Sequence, residues 1–205
     1  MRDSDVRQAL HQKVLREHHG QAGTLVLDEF GVWYGTARVD IVVVNGRLHG
    51  FEIKSDRDTL DRLPEQARIY SQVFDRVTLV LGETHLAKSC AIVPDWWGLK
   101  VAFLGARRAV HFREERAPSA NPSIDPVAVA ALLWCEELTD ILVERDAIRG
   151  LRGKSRDKLT RALAALMSLD ELRATVRECL KSRAGWRERP IRTQCGDLSP
   201  PRATL

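Results

Sequence analysis

No stretch of this 205-residue chain approaches the ~20 consecutive apolar residues needed to cross a bilayer, although 44% of its residues are hydrophobic. No membrane partner is expected. The opening Met-Arg-Asp-Ser-Asp lacks the basic-then-apolar form of a secretion signal, so the expected location is cytoplasmic. Cysteine is scarce, and Cys90, Cys135, Cys179 and Cys195 form no Cys-x-x-Cys pair. That spacing argues against a zinc ribbon or an iron–sulfur cluster. The cysteines are expected to be reduced thiols, most of them buried as small hydrophobes. Neither sign of charge dominates, since 32 Lys and Arg against 28 Asp and Glu leave a net charge of only +4.

What the chain does have is a hairpin carrying charge where a buried hairpin should have none. Asp40 stands twelve residues ahead of Glu52-Ile-Lys54, and a Val-rich run and Asn45-Gly46 lie between them. Strand side chains alternate faces, so Glu52 and Lys54 share a side. A two-residue Asn-Gly loop would put Asp40 opposite Phe51 and on the wrong face from Glu52. A three-residue loop with Gly46 in the left-handed conformation places Asp40, Val42, Val44, Leu48, Gly50, Glu52 and Lys54 together, with Val39, Ile41, Val43, Phe51 and Ile53 behind them. The three-residue loop is the expectation.

Two converging carboxylates repel, and at least one pKa rises unless a cation sits between them. Mg²⁺ suits that geometry, with Mn²⁺ as a substitute, because it binds through one or two carboxylates and keeps several waters. Such an ion polarises a phosphoryl group and acidifies a bound water, and a lysine can orient that water or offset charge. These are the elements of phosphodiester hydrolysis.

Asp40 with Glu52-x-Lys54 resembles the PD-(D/E)XK nuclease superfamily. Gln66 and Tyr70, four apart in Leu60-Asp-Arg-Leu-Pro-Glu-Gln-Ala-Arg-Ile-Tyr70, look like the Gln-x-x-x-Tyr helix of its branch similar to RecB and Cas4 nucleases. The likeness is closest from Glu29 to about Trp97. It implies a restriction-endonuclease-like α/β core, a mixed central sheet flanked by helices. It also implies a metal-dependent deoxyribonuclease in which Asp40 and Glu52 hold the ion, Lys54 serves the attacking water, and Gln66 and Tyr70 support the site. Glu29 and Glu17 compete to complete the metal ligands, with Glu29 favoured.

Each residue also has a bland alternative. Asp40 could begin a strand, Glu52 and Lys54 could be a solvated pair, and Gln66 and Tyr70 a half-buried polar pair. Against this, charge buried without a purpose is expensive. The histidines read as structural. His18-His19 would end the first helix beside Gly20, His49 would pack on the face opposite Asp40, and His85 would start a short helix.

The remaining pattern predicts a helix at 4–18, strands near 24–30, 37–44, 48–54 and 76–82, a helix near 84–90 and a last strand around 100–104. Trp96 and Trp97 are expected to anchor a turn to the core. The division expected is a nuclease-like core at 1–116, a Pro/Ser/Asn linker at 117–126, a basic helical appendage at 127–187, and a loose tail at 188–205. Leu132, Leu133, Leu163, Leu166, Leu172 and Val176 are its candidate core, and Ser168 or Asp170 its candidate cap.

Between Arg149 and Arg192 there are 13 Lys or Arg against 5 Asp or Glu, so the rest of the chain is slightly acidic. That surplus could clamp a nucleic-acid backbone or be a solvated helix surface. The leading expectation is a Mg²⁺-dependent nuclease with DNA as partner. The alternatives are a non-catalytic nucleic-acid- or partner-binding module on the same fold, and a protein that holds nucleic-acid ends or another phosphorylated ligand uncut. DNA against RNA, endo- against exonuclease action, and oligomeric state stay open.

Overall fold

Val-, Ile- and Leu-rich segments build one sheet from β1 (Leu25–Val32), β2 (Ala37–Val44), β3 (Leu48–Lys54), β4 (Arg76–Gly82), β5 (Gly98–Leu104) and β6 (Val110–Arg116). This computed structural model describes residues 1–183; the expectations for the tail, including Cys195, lie outside them. The strands lie in chain order, with β1 to β3 antiparallel, β4 and β5 parallel to β3, and β6 antiparallel to β5. A parallel neighbour needs a crossover, and α3 (Leu63–Tyr70) and α4 (Leu86–Cys90) supply the two required. The architecture is α/β, a mixed sheet flanked by helices with further helices at its C-terminal side.

β6 corrects the expectation that the strand near residue 100 is the last. Its Val-His-Phe-Arg-Glu-Glu-Arg sequence is largely exposed, and its charges guard a sheet edge while hiding the strand from a search for apolar runs. The predicted single helix at 4–18 is likewise divided. It consists of α1 (Asp3–Ala9), a π-helical turn (Leu10–Val14) and α2 (Arg16–Gly20). The wider turn lets the Leu15 N–H bond the Leu10 carbonyl at 2.9 Å and buries both leucines, which a regular helix would separate.

The two faces of the sheet have separate cores. Val42, Val44, Leu48, Leu79 and Leu81 pack beneath Tyr70, Phe74 and Trp97. The same cluster takes in residues of α5 (Pro126–Ala130), α6 (Cys135–Glu144), α7 (Arg156–Leu166) and α8 (Leu169–Ser182). Ile41, Val43, Phe51, Ile53 and Val80 meet Val6, Leu10 and Leu15 on the other face. Of the expected helical core residues, Leu166 is instead exposed. Ser168 caps α8 in a reciprocal pair with Glu171, satisfying N–H groups that the first turn leaves open.

Residues 117–125 of the expected 117–126 linker form no helix or strand but are tied along their length, and Pro126 already opens α5. Ser119 N–H bonds the Trp96 carbonyl, Asn121 Nδ2 bonds the Ser71 and Phe74 carbonyls, and Asp125 N–H bonds that of Gln72. Trp97 is fully buried and stacked on Tyr70 at 6.1 Å, the anchoring role expected of it. The cysteines depart from expectation: Cys90 is exposed, and Cys135 and Cys179 are half-buried thiols.

Candidate active site

β3 is an inner strand with α3 packed over one face of the sheet and the N-terminal helices over the other, and Glu52 and Lys54 are only 2% and 6% exposed. A solvated surface pair is thereby excluded. Their register is set by the hairpin. Val44 pairs with Leu48, which makes the loop Asn45-Gly46-Arg47, three residues as the face pattern requires. Gly46, however, is not left-handed. Asn45 closes the loop instead, its N–H bonding the Arg47 carbonyl at 3.1 Å and its side-chain oxygen accepting the Arg47 N–H at 3.2 Å.

Val42 faces Gly50 and Ile41 faces Phe51, so the next step of the hairpin carries Asp40 to Glu52. There the backbone ladder stops. Asp40 Oδ2 accepts the Ile53 N–H at 2.6 Å, its carboxylate taking the place of a strand carbonyl. The β1–β2 ladder also skips this step, where Glu29 has φ 52°, a left-handed conformation costly for a residue with a Cβ. Both strands change face across it. Val39 and Phe30 therefore join the core of Val42 and Leu27, and the placement of Val39 behind the sheet with Ile41 is corrected.

Glu52 sits at the centre of a hydrogen-bonded set. Lys54 Nζ lies 2.7 Å from Oε1, Gln66 Nε2 donates to the same oxygen at 2.5 Å, and Tyr70 Oη is 2.9 Å from Oε2. Tyr70 Oη also reaches the Arg38 carbonyl at 2.6 Å, which ties α3 to β2. The helical spacing of Gln66 and Tyr70 thus serves to aim both at one carboxylate. Gln66 Oε1 is buried without a hydrogen-bond partner among the described residues, an open acceptor beside the acids.

Burial and the charge of Glu52 push the Asp40 carboxyl up to about 7, against the pull of the Ile53 N–H and the Arg7 guanidinium. Burial also raises Glu52, opposed by the Lys54 charge and by the bonds from Tyr70 and Gln66. Burial and the Glu52 charge raise the Tyr70 phenol, so Tyr70 remains a neutral hydroxyl. Asp40 and Glu52 are therefore harder to ionise than ordinary carboxylic acids, chiefly because burial disfavours their charge.

Arg7 was not foreseen. It projects from α1 to within 2.7 Å of Asp40, 2.8 Å of Glu29 and 3.4 Å of Asp3. Burial works against its charge, but the three carboxylates outweigh that and hold the guanidinium above its usual pKa. Only the Asp3/Arg7 spacing was visible in sequence, because Asp40 lies 33 residues away. Glu29 is drawn into this ion cluster, with Arg38 at 3.5 Å as well. Glu17 is exposed on α2 and forms no ion pair with a described residue. Among the described residues, no group of three or more His, Cys, Asp or Glu side chains is placed to hold a metal ion, so Asp40 and Glu52 are a two-acid set.

The other expected features divide. His49 stacks on Phe51 at 4.2 Å with Nε2 near Thr78, and burial lowers its pKa to about 3, so it is a neutral packing residue. Several C-terminal cations are used internally. Arg156 donates to the Leu133 carbonyl at 2.6 Å, Arg173 bonds Asp75, and Arg183 bonds Glu137 at 2.6 Å. No described helix is long and apolar enough to cross a membrane.

The sequence profile of the bacteriophage P4 protein cII family matches residues 1–191. The chain belongs to that family. Protein cII of Enterobacteria phage P4 is 28% identical over 183 residues, covering 89% of this chain and 68% of that protein. A solved structure of a protein of unknown function from Silicibacter pomeroyi is similar at 21% identity and a TM-score of 0.41, over 72% of this chain and 94% of that one. The names of these relatives state no activity.

Proposed function

We propose that this member of the protein cII family is a Mg²⁺-dependent nuclease of PD-(D/E)XK type that hydrolyses phosphodiester bonds in DNA. The observation that carries the reading is the buried meeting of Glu52, Lys54, Gln66 and Tyr70 beside Asp40. Burying an ion pair is seldom the best route to stability, so keeping one at the mouth of a parted hairpin favours a chemical use.

A hard divalent cation fits these residues. The donors are oxygens, Mg²⁺ commonly needs only one or two protein carboxylates, and a cation beside Asp40 and Glu52 would offset the burial and mutual repulsion that raise the Asp40 carboxyl. Asp40 and Glu52 would hold it, with Glu29 joining only on release from Arg7. When bound, such an ion supplies a Lewis acid for a phosphoryl oxygen and a water of lowered pKa.

The chain's own groups do the positioning. The Ile53 N–H holds Asp40, while Gln66 and Tyr70 fix the rotamer of Glu52 from α3. Lys54 Nζ orients the attacking water and offsets charge growing on the phosphoryl oxygens. The alternative of a binding module without catalysis has one observation in its favour. Arg7 already supplies a cation to Asp40 and Glu29.

The test is a cleavage assay on single- and double-stranded DNA with Mg²⁺ or Mn²⁺, comparing the unaltered protein with Lys54→Ala and Asp40→Ala. Metal-dependent cleavage that falls by about 100-fold or more in both variants supports the site. Cleavage surviving both substitutions refutes the assignment, and none by the unaltered protein on any substrate favours the binding module.

A further inference from the structure

Beside the candidate site is a second polar feature that the hydrolytic reading does not use. Met1, Arg2, Asp5, Gln8 and Gln12 on the N-terminal helices, Arg57 after β3, and Leu104, Arg108 and Val110 around the β5–β6 turn line a cleft of about 540 Å³. Lys13 borders it as well, its Nζ bonded to the Val110 carbonyl at 2.6 Å. Four cations, Arg2 and Lys13 of the N-terminal helical segment with Arg57 and Arg108, thus come from three parts of the chain against a single acid, Asp5. None of the four forms an ion pair with a described residue, whereas Arg7, Arg113, Arg116 and Arg173 all do.

The turn itself adds a second observation. Within Gly105-Ala-Arg-Arg-Ala109, Arg107 and Arg108 both take left-handed backbone, with φ of 60° and 59°. Glycine or asparagine would occupy those positions with less strain. The chain instead places two arginines there, exposed, with the turn closed by the bond from Gly105 N–H to the Ala109 carbonyl. Strain kept in this way calls for a functional explanation rather than a stability one.

The position of the cleft indicates its ligand. β3, β4 and β5 run parallel, so Lys54 and Leu104 end on the same edge of the sheet; Lys54 is level through Leu81 with Val101, two strand spacings or ~10 Å away, and Leu104 lies three residues further along β5. Ligands of open α/β sheets bind at that carboxyl edge. Arg57 follows Lys54 by three residues and joins the two features.

We infer that this cleft is a track for the phosphodiester backbone of a polynucleotide, holding phosphates a few nucleotides from the bond presented to Glu52 and Lys54. The inference rests on the nuclease reading for the class of ligand and deepens it by naming the substrate's path. Arginines without ion pairs to described residues around an open polar cleft, with Lys13 held at its border by the Val110 carbonyl, suit a repeating, sequence-independent row of phosphates. The tied-in Arg156, Arg173 and Arg183 of the C-terminal helices suit it less.

The experiment measures anisotropy of a labelled 20-nucleotide single strand and the matching duplex, in Ca²⁺ and in EDTA, across a salt series. It compares the unaltered protein, Arg57→Ala/Arg108→Ala, Arg57→Lys/Arg108→Lys, and Lys158→Ala/Arg177→Ala on the C-terminal helices. The cleft alanine pair should weaken binding at least tenfold and reduce the slope of log affinity against log salt by about 2. The lysine pair should retain most of the slope, the C-terminal pair should change little, and all should unfold at the same temperature. Unchanged affinity and slope in the cleft alanine pair, or no binding of either oligonucleotide by the unaltered protein, overturns the inference. Because no cleavage is read, binding through the cleft by a protein that never cuts would retain the track and refute only the hydrolytic reading.

Discussion

Arg7 Nη2 lies 2.7 Å from Asp40 Oδ1 while Arg7 Nη1 donates to the Asp40 carbonyl at 2.9 Å, so one guanidinium brackets both the side chain and the backbone of the acid. It is also 2.8 Å from Glu29. Removing it leaves two acids facing each other across the step where both strands change face.

Arg7→Ala should therefore cost roughly 1–3 kcal/mol of stability in metal-free buffer, less than a fully buried pair because both partners keep some exposure. Millimolar Mn²⁺ should stabilise this variant more than it stabilises the unaltered protein. Urea unfolding with and without Mn²⁺ measures both quantities. Equal increments would mean that the guanidinium and the metal ion do not compete for these acids.

The Asp40 carboxyl, pushed up to about 7 from an ordinary 3.8, gives stability a definite slope with pH. Between those two values the folded protein keeps a proton that the unfolded chain has lost, so stability falls as pH rises through that window. Asp40→Asn abolishes the ionisation. Relative to the unaltered protein it should gain stability from pH 4 to pH 8, by up to roughly 4 kcal/mol. Denaturant midpoints at half-unit pH steps would show it, and parallel curves for the two proteins would rule it out.

Lys54 neutralises a carboxylate that has almost no access to water. Lys54→Ala strands that charge and should destabilise by about 3–5 kcal/mol, whereas Glu52→Leu/Lys54→Met, which replaces both charges with apolar groups, should lose much less. A double variant weaker than Lys54→Ala alone would show that the pair is kept for stability and would weaken the case for catalysis.

Gly46 has open space where a Cβ would be built and no left-handed φ. Gly46→Ala should be neutral or stabilising by up to about 1 kcal/mol, through a more restricted unfolded chain. A clear loss in the thermal midpoint would restore the left-handed closure of this hairpin.

Much of the scaffold could be read from the chain alone. The Val-rich β2, the β3 that follows it, and β4 were legible because strands covered on both faces must be nearly continuous apolar runs. The alternation of β3 put Glu52 beside Lys54, and helical spacing put Gln66 beside Tyr70. These are local periodicities, and a sequence displays them directly. The demand that Asp40 share a face with Glu52 also selected the three-residue loop over the simplest reading of Asn-Gly.

Tertiary structure alone decided the rest. The face change at Glu29 and Asp40 depends on one residue's φ, and the π turn that buries Leu10 with Leu15 depends on the sheet beneath it. β6 escaped detection because an edge strand meets its hydrogen bonds on one side and can fill its sequence with charge. Arg7 reaches Asp40 only because α1 packs across the sheet. A contact between residues 33 apart leaves no periodic trace, since its energy comes from the fold that brings the two together.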